Sequence, residues 1–170
     1  MGFGKAFLLS LVAFVGLNFV FSILNFVIFV GFDTLMTTIQ SAPLMIIYYL
    51  FGSIASVPST NLGMVIVEPL LNSNMTPIIT GLGYLLAPII AGVLAGRFGE
   101  SKLQGFLGWL LTAVVGTAAL LVGVLLSPAL EAALGLIGFN VIIIYLLISL
   151  VVNIIAYGFF ALLASKTEYY

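Results

Sequence analysis

The chain contains no cysteine and no histidine in 170 residues, and it carries only four Lys or Arg against five Asp or Glu. Counting alone therefore removes disulfides, thiol chemistry, Cys/His zinc sites, His-ligated haem and every His-based catalytic triad. Carboxylates, Lys, Tyr, Ser and Thr are left for chemistry. A Ser–Lys dyad needs a buried Lys, whereas Lys5, Lys102 and Lys166 all flank loops. No Walker motif is present, and GLGYLLAP, from Gly81 to Pro88, lacks the third Gly of a dinucleotide fingerprint. The expectation is a non-enzyme with no catalytic residue, no cofactor and no metal.

The scarcity of charge also fixes the solvent. A soluble domain carries about 25% charged residues; here the figure is 5%, with 64% hydrophobic residues and a mean hydropathy of +1.39. Lipid must bathe most of the surface. The net charge of -1 argues against nucleic acid, which calls for clustered cations. At about 20 residues per crossing there is room for roughly four to six spans in a single membrane domain covering 1–170.

The first span is expected over 6–32, where Ala6 to Phe32 contains no charge. It is too long for the apolar region of about 7–15 residues in a cleaved signal peptide. Asn18, Ser22 and Asn25 share one of its faces, which should look into the bundle because polar groups in hydrocarbon need partners. The chain then turns polar from Asp33 to Pro43. Two short apolar runs follow, Leu44 to Val57 and Leu62 to Leu71, punctuated by Pro58, Pro69 and Pro77. Each is short for a crossing, so 44–71 reads as a re-entrant or interfacial segment. Asn74-Met75-Thr76 matches a glycosylation sequon, with Pro77 behind it to disfavour use.

The stretch 78–98 is the expected central packing helix. Wound at 3.6 residues per turn it stacks Gly83, Ala87, Ala91, Ala95 and Gly99 on one stripe, with Gly92 and Gly96 beside them. Interior Gly costs a helix about 1 kcal/mol relative to Ala, but in lipid small residues let two backbones touch. A second small-residue stripe, Gly105, Gly108, Thr112, Gly116, Ala119 and Gly123, runs along the next span, 106–127. The two stripes are expected to dock on each other, making these spans the tightest pair, with Arg97, Glu100 and Lys102 in the short loop between them. Arg97 and Glu100 are spaced for a surface ion pair. Trp109, the sole Trp, reads as an interface anchor.

Pro128 ends that span, and a short interfacial helix bearing Glu131 leads to the last one, 139–164. There Tyr145, Ser149, Asn153 and Tyr157 recur every four residues on an inward face, and Asn153 is expected to meet Asn18, Ser22 or Asn25. The paired tyrosines at the end, Tyr169 and Tyr170, suit an interfacial anchor. All four cations, Lys5, Arg97, Lys102 and Lys166, sit at span ends. Four crossings put them all on one side, which positive loops make cytoplasmic together with both termini, in the cell membrane. A fifth crossing would split Lys5 from Lys102; six keeps the parity but needs two short helices.

The fold expected is thus an all-α polytopic helical bundle of four transmembrane helices plus a non-spanning segment. Two functions fit. One is an accessory subunit assembling with copies of itself or other membrane proteins through its small-residue faces. The other is a small transporter, substrate-binding membrane component or channel using the polar faces of Asn18, Ser22, Asn25, Ser149 and Asn153. Glu68, the one carboxylate flanked by apolar residues in a segment able to enter the membrane, would be its gate unless it is a loop acid.

Overall fold

The computed structural model describes residues 2–136 and 138–165. Lys166, Tyr169 and Tyr170 lie outside them. The described chain is helical, with no strand among those residues. Four of its helices are long and apolar enough to cross a membrane: Gly2–Val30, Pro77–Phe98, Lys102–Leu126 and Phe139–Ala164. The first comprises α1 (Gly2–Asn25) and a π-helical turn, Phe26–Val30, closed by Gly31 at φ +104°, a backbone conformation that only glycine adopts without strain. The polar stretch after it forms a helix of its own, α2 (Phe32–Ser41), with Asp33 in its first turn.

The segment 44–71 is a bent pair. Its first arm is α3 (Met45–Phe51) continued by a 3-10 turn, Gly52–Ala55. Its second is α4 (Pro58–Leu62), a π turn at Gly63–Val67 and α5 (Glu68–Leu71). The arms meet at 100° across Ser56 and Val57. Pro58 enforces the break: it has no N–H to give a continuing helix, and it pushes Val57 to extended backbone, ψ 154°.

Three spans follow the bent pair: α6 (Pro77–Phe98), α7 (Lys102–Leu126) and, after the short α8 (Pro128–Ala133), α9 (Phe139–Ala164). The first is antiparallel to α1, since Gly83 near its start packs on Phe21 near the end of α1, while Gly2 packs on Glu100 and Gln104 just beyond its end. Lys5, Arg97 and Lys102 therefore share one end of the bundle, the cationic end, and all three are exposed. Asp33, Glu68 and Glu131 belong to the connections at the other, the loop end.

This arrangement makes the bent pair re-entrant. Its first arm runs inward from the loop end, with Tyr49 beside Phe26 and Phe51 beside Phe14. Its second runs back out along α6: the Asn61 amide donates to the Tyr84 carbonyl at 3.3 Å, and Met64 and Val65 pack on Gly81. Both arms thus open on the same end, and Lys5 stays with Lys102.

Packing departs from the expected pairing of α6 with α7. The most extensive contact is between α1 and α6, and the first small-residue stripe is divided among neighbours. Gly83 meets Phe21 of α1, while Gly92 and Gly96 meet the backbone of Tyr157 and Ala161 in α9. Only at the cationic end do the two stripes touch, Gly96 and Gly99 against Gly105. The second stripe serves α1 and the bent pair: Gly108 takes Ala6, Gly116 takes Phe51 and Phe14, and Gly123 takes Leu130 and Ile47. The physical reason is geometric. Residues four apart drift around a helix of 3.6 residues per turn, so a long stripe faces more than one neighbour. The link is also shorter than expected. The Ser101 hydroxyl accepts the Gln104 N–H at 3.3 Å, so α7 begins at Lys102 and not at Phe106.

Trp109 is another correction. It is fully buried, its indole N–H donating to the Asn153 carbonyl at 3.3 Å and its ring set edge-on to Phe14 and Tyr157. An interfacial Trp sits on the outer face of a bundle; this one lies between two glycines, Gly108 and Gly116 being on the same inward face as Thr112, so the position is turned to the core.

Candidate functional site

The re-entrant break is held by α9. Asn153, just past the middle of that 26-residue helix, is fully buried. Its side-chain amide donates to the Ile54 carbonyl at 3.1 Å, the Ser56 carbonyl at 3.0 Å and the Ser149 carbonyl at 2.9 Å. The Ser149 hydroxyl lies 3.5 Å from the Ala55 carbonyl. Three successive carbonyls that the broken helix leaves without ladder partners are thus met by two side chains of one neighbouring span. Across the break the Ser56 hydroxyl donates to Asn61 Oδ1, and Asn61 ties the assembly to Tyr84.

Asn153 therefore serves the re-entrant break and not, as expected, the polar face of α1. The expectation failed because 44–71 reaches the bundle centre and displaces α1 from that face. Asn18 is fully buried too, but its amide closes on its own helix, donating to the Phe14 carbonyl at 2.8 Å. The Ser22 hydroxyl donates to the Tyr49 carbonyl at 3.3 Å. Thr112 donates to the Gly108 carbonyl and lies 3.0 Å from Ser10 Oγ of α1. Glu68 opens α5 at the loop end, half-buried, with Asn74 3.5 Å from Oε2. It does not join the Asn residues in one constellation.

Two clefts flank the bent pair at the loop end and share Tyr48 and Tyr84 as a common wall. The first, of about 260 Å³, is lined by Ser22, Asn25, Phe26, Met45, Tyr49 and Thr80 besides those two. The second, of about 160 Å³, includes Ser56, Thr60, Met64 and Tyr145. The Tyr84 ring passes between them to seat its hydroxyl against Gly52, where a Cβ would collide with it. Each cleft borders a π-helical turn, Phe26–Val30 or Gly63–Val67; such turns are frequent at functional sites because they displace side chains from the regular helical repeat.

Around the break, polar atoms are left over. Ser53 Oγ and Asn153 Oδ1 are buried with no hydrogen-bond partner among the described residues, and so are Asn18 Oδ1 and Asn25 Oδ1. Buried polar atoms are paired in the great majority of cases, and exceptions concentrate where a water, ion or ligand binds.

Sequence reasoning found Asn25, Ser149 and Asn153 and missed Tyr48, Asn61, Thr80 and Tyr84. The signal for Asn61 was present, an amide three residues after Pro58 in a segment read as membrane-dipping. Tyr84 was hidden because the glycines around it drew the reading toward packing.

The chain is a four-span helical membrane bundle with a re-entrant segment. No family model, no curated protein and no solved structure matches it.

Proposed function

We propose that this chain is a non-catalytic membrane protein that binds a small solute from the loop end and belongs to the transporter class. The observation that carries the reading is the helix broken beside the middle of α9, its carbonyls held by Asn153 and Ser149, with a cleft on either side. Non-helical backbone at that depth is tolerated where it is buried in protein or lines a cavity, and broken helices are a recurrent device of solute sites near the bilayer midplane. Asn25, whose Oδ1 is buried with no hydrogen-bond partner among the described residues, lines the larger cleft. By the positive-inside rule the cationic end faces the cytoplasm and the loop end faces out, in the cell membrane.

The accessory-subunit reading drew on the lack of catalytic and cofactor groups, on the small soluble mass and on surplus small-residue surface. Ala87, Ala91, Ala95, Gly83, Gly92 and Gly96 are all buried within the chain, which removes the last of these. A partner subunit or second copy would meet ordinary lipid-facing residues, such as Ile148 and Val151 on α9.

The absence of native cysteine makes the test free of background. Single Thr80→Cys and Thr60→Cys variants, in sealed vesicles, are expected to react with a membrane-impermeant thiol reagent from the loop end and Ala87→Cys to remain unlabelled. Unreactive cysteines at both cleft positions would overturn the proposal.

A further inference from the structure

The larger cleft constrains the charge of what it takes. Three of its walls are aromatic, with Tyr49 set edge-on to both of the others: Phe26 and Tyr49 at 76° with centroids 5.4 Å apart, Tyr49 and Tyr48 at 68° and 6.4 Å. Tyr84 closes a fourth side. An ammonium group within about 6 Å of a ring face is attracted through the ring quadrupole, and a cleft walled by several aromatic residues offers more than one such contact. No charged side chain lines the cleft, so what an ion would meet there is the aromatic rings and the neutral polar groups.

The surrounding field has the same sign preference. Asp33, Glu68 and Glu131 all lie at the loop end, whereas Lys5, Arg97 and Lys102 lie at the other, so among the described residues no cation competes for the cleft mouth. A negative end with low-dielectric walls concentrates cations and speeds their arrival. Size bounds the occupant from the other direction. An apolar cavity of about 150 Å³ accepts benzene, so about 260 Å³ holds a molecule somewhat larger. Ser22, Asn25 and Thr80 place hydroxyl and amide groups at the same cleft for a second, neutral polar group on that molecule.

We infer that the cleft between α1, α3 and α6 binds a small organic cation, a substituted ammonium compound with a short polar arm, held by the Phe26, Tyr48 and Tyr49 rings. The inference rests on the solute-binding reading above and names the chemical class of its ligand.

Choline and its uncharged carbon isostere 3,3-dimethylbutan-1-ol have the same shape and differ in charge alone, so they isolate the point. Calorimetric titration of the purified full chain in lipid nanodiscs is expected to give binding of choline roughly tenfold or more tighter than of the isostere. Tyr49→Leu is expected to weaken choline roughly three- to thirtyfold by removing one π face, and Phe26→Leu gives the same reading should the first variant not fold. Equal or tighter binding of the isostere overturns the cation assignment while leaving a solute site in place. Absence of binding by either compound also overturns it, and the labelling of Thr80→Cys then decides separately whether the cleft is open to solutes.

Discussion

Replacing Asn153 with Leu keeps the branched outline of the side chain, with added bulk, but removes the amide that holds the re-entrant break. The substitution leaves the Ile54 and Ser56 carbonyls, now bonded at 3.1 and 3.0 Å, without the donor that meets them inside the bundle. In a water-soluble core each such orphan costs about 1–3 kcal/mol. Within membranes measured side-chain hydrogen bonds average about 0.6 and reach about 1.7 kcal/mol, because the unfolded chain in lipid also finds partners. Two lost inter-segment bonds thus amount to about 1–3 kcal/mol, the third bond, to Ser149, being internal to α9. Asn18→Leu is the informative control: that side chain is equally buried and takes the same added bulk but donates only within its own helix, so Asn153→Leu is expected to be the more destabilising by about 1–3 kcal/mol. Equilibrium unfolding in mixed micelles would give both values, and amide hydrogen exchange would locate the change. The break, residues 54–61, is expected to lose protection in the first variant and keep it in the second. Equal stability of the two variants would show that Asn153 does not hold the re-entrant segment, and the account of the site would fall with it.

The close approach of α6 to α9 gives a second expectation. A methyl at Gly96 would run into the Ala161 carbonyl and at Gly92 into the Tyr157 carbonyl, backbone atoms that cannot rotate away, whereas Gly16 on α1 has open space. Gly96→Ala is expected to destabilise by about 1–3 kcal/mol and Gly16→Ala to be neutral or stabilising by up to about 1 kcal/mol, read from the same unfolding curves. For topology, Gly4→Cys and Ser101→Cys are expected to label from one side of a sealed membrane and Ser73→Cys from the other; any other partition would break the four-span layout.

How far the chain could be read in advance follows from how local each determinant is. The spans were legible because lipid demands long charge-free runs, and Pro58, Pro77 and Pro128 mark breaks whatever surrounds them. The parity of the fold was legible because Lys5, Arg97 and Lys102 sit at span ends, and any odd number of crossings between Lys5 and Arg97 other than those of α1 and α6 would separate them. Which faces meet was not legible. A stripe such as Gly83 to Gly99 states that backbones come close but not whose, and the answer depended on the re-entrant arm occupying the place opposite α9. The same displacement turned Asn153 away from α1, whereas Trp109 is in the core because its face of α7 points inward, onto Phe14 and Tyr157.

The re-entrant arm also explains why the polar residues are distributed as they are. Four fully continuous helices would satisfy their own backbones and would need no buried amide at the centre of α9. Breaking a helix at Ser56 and Val57 exposes carbonyls inside the bundle, and the chain meets that cost with Asn153 and Ser149, while Asn61 accepts the Ser56 hydroxyl and donates to the Tyr84 carbonyl. A segment built only to fill the bundle could do so more simply as a continuous apolar hairpin. The break gains an explanation once Tyr84 is considered: the opening at Gly52 seats its hydroxyl, so that its ring stands between the two clefts. The unwound turn, the glycine and the tyrosine form one device, and its consequence is a pair of polar, aromatic recesses at the end of the molecule that carries Asp33, Glu68 and Glu131.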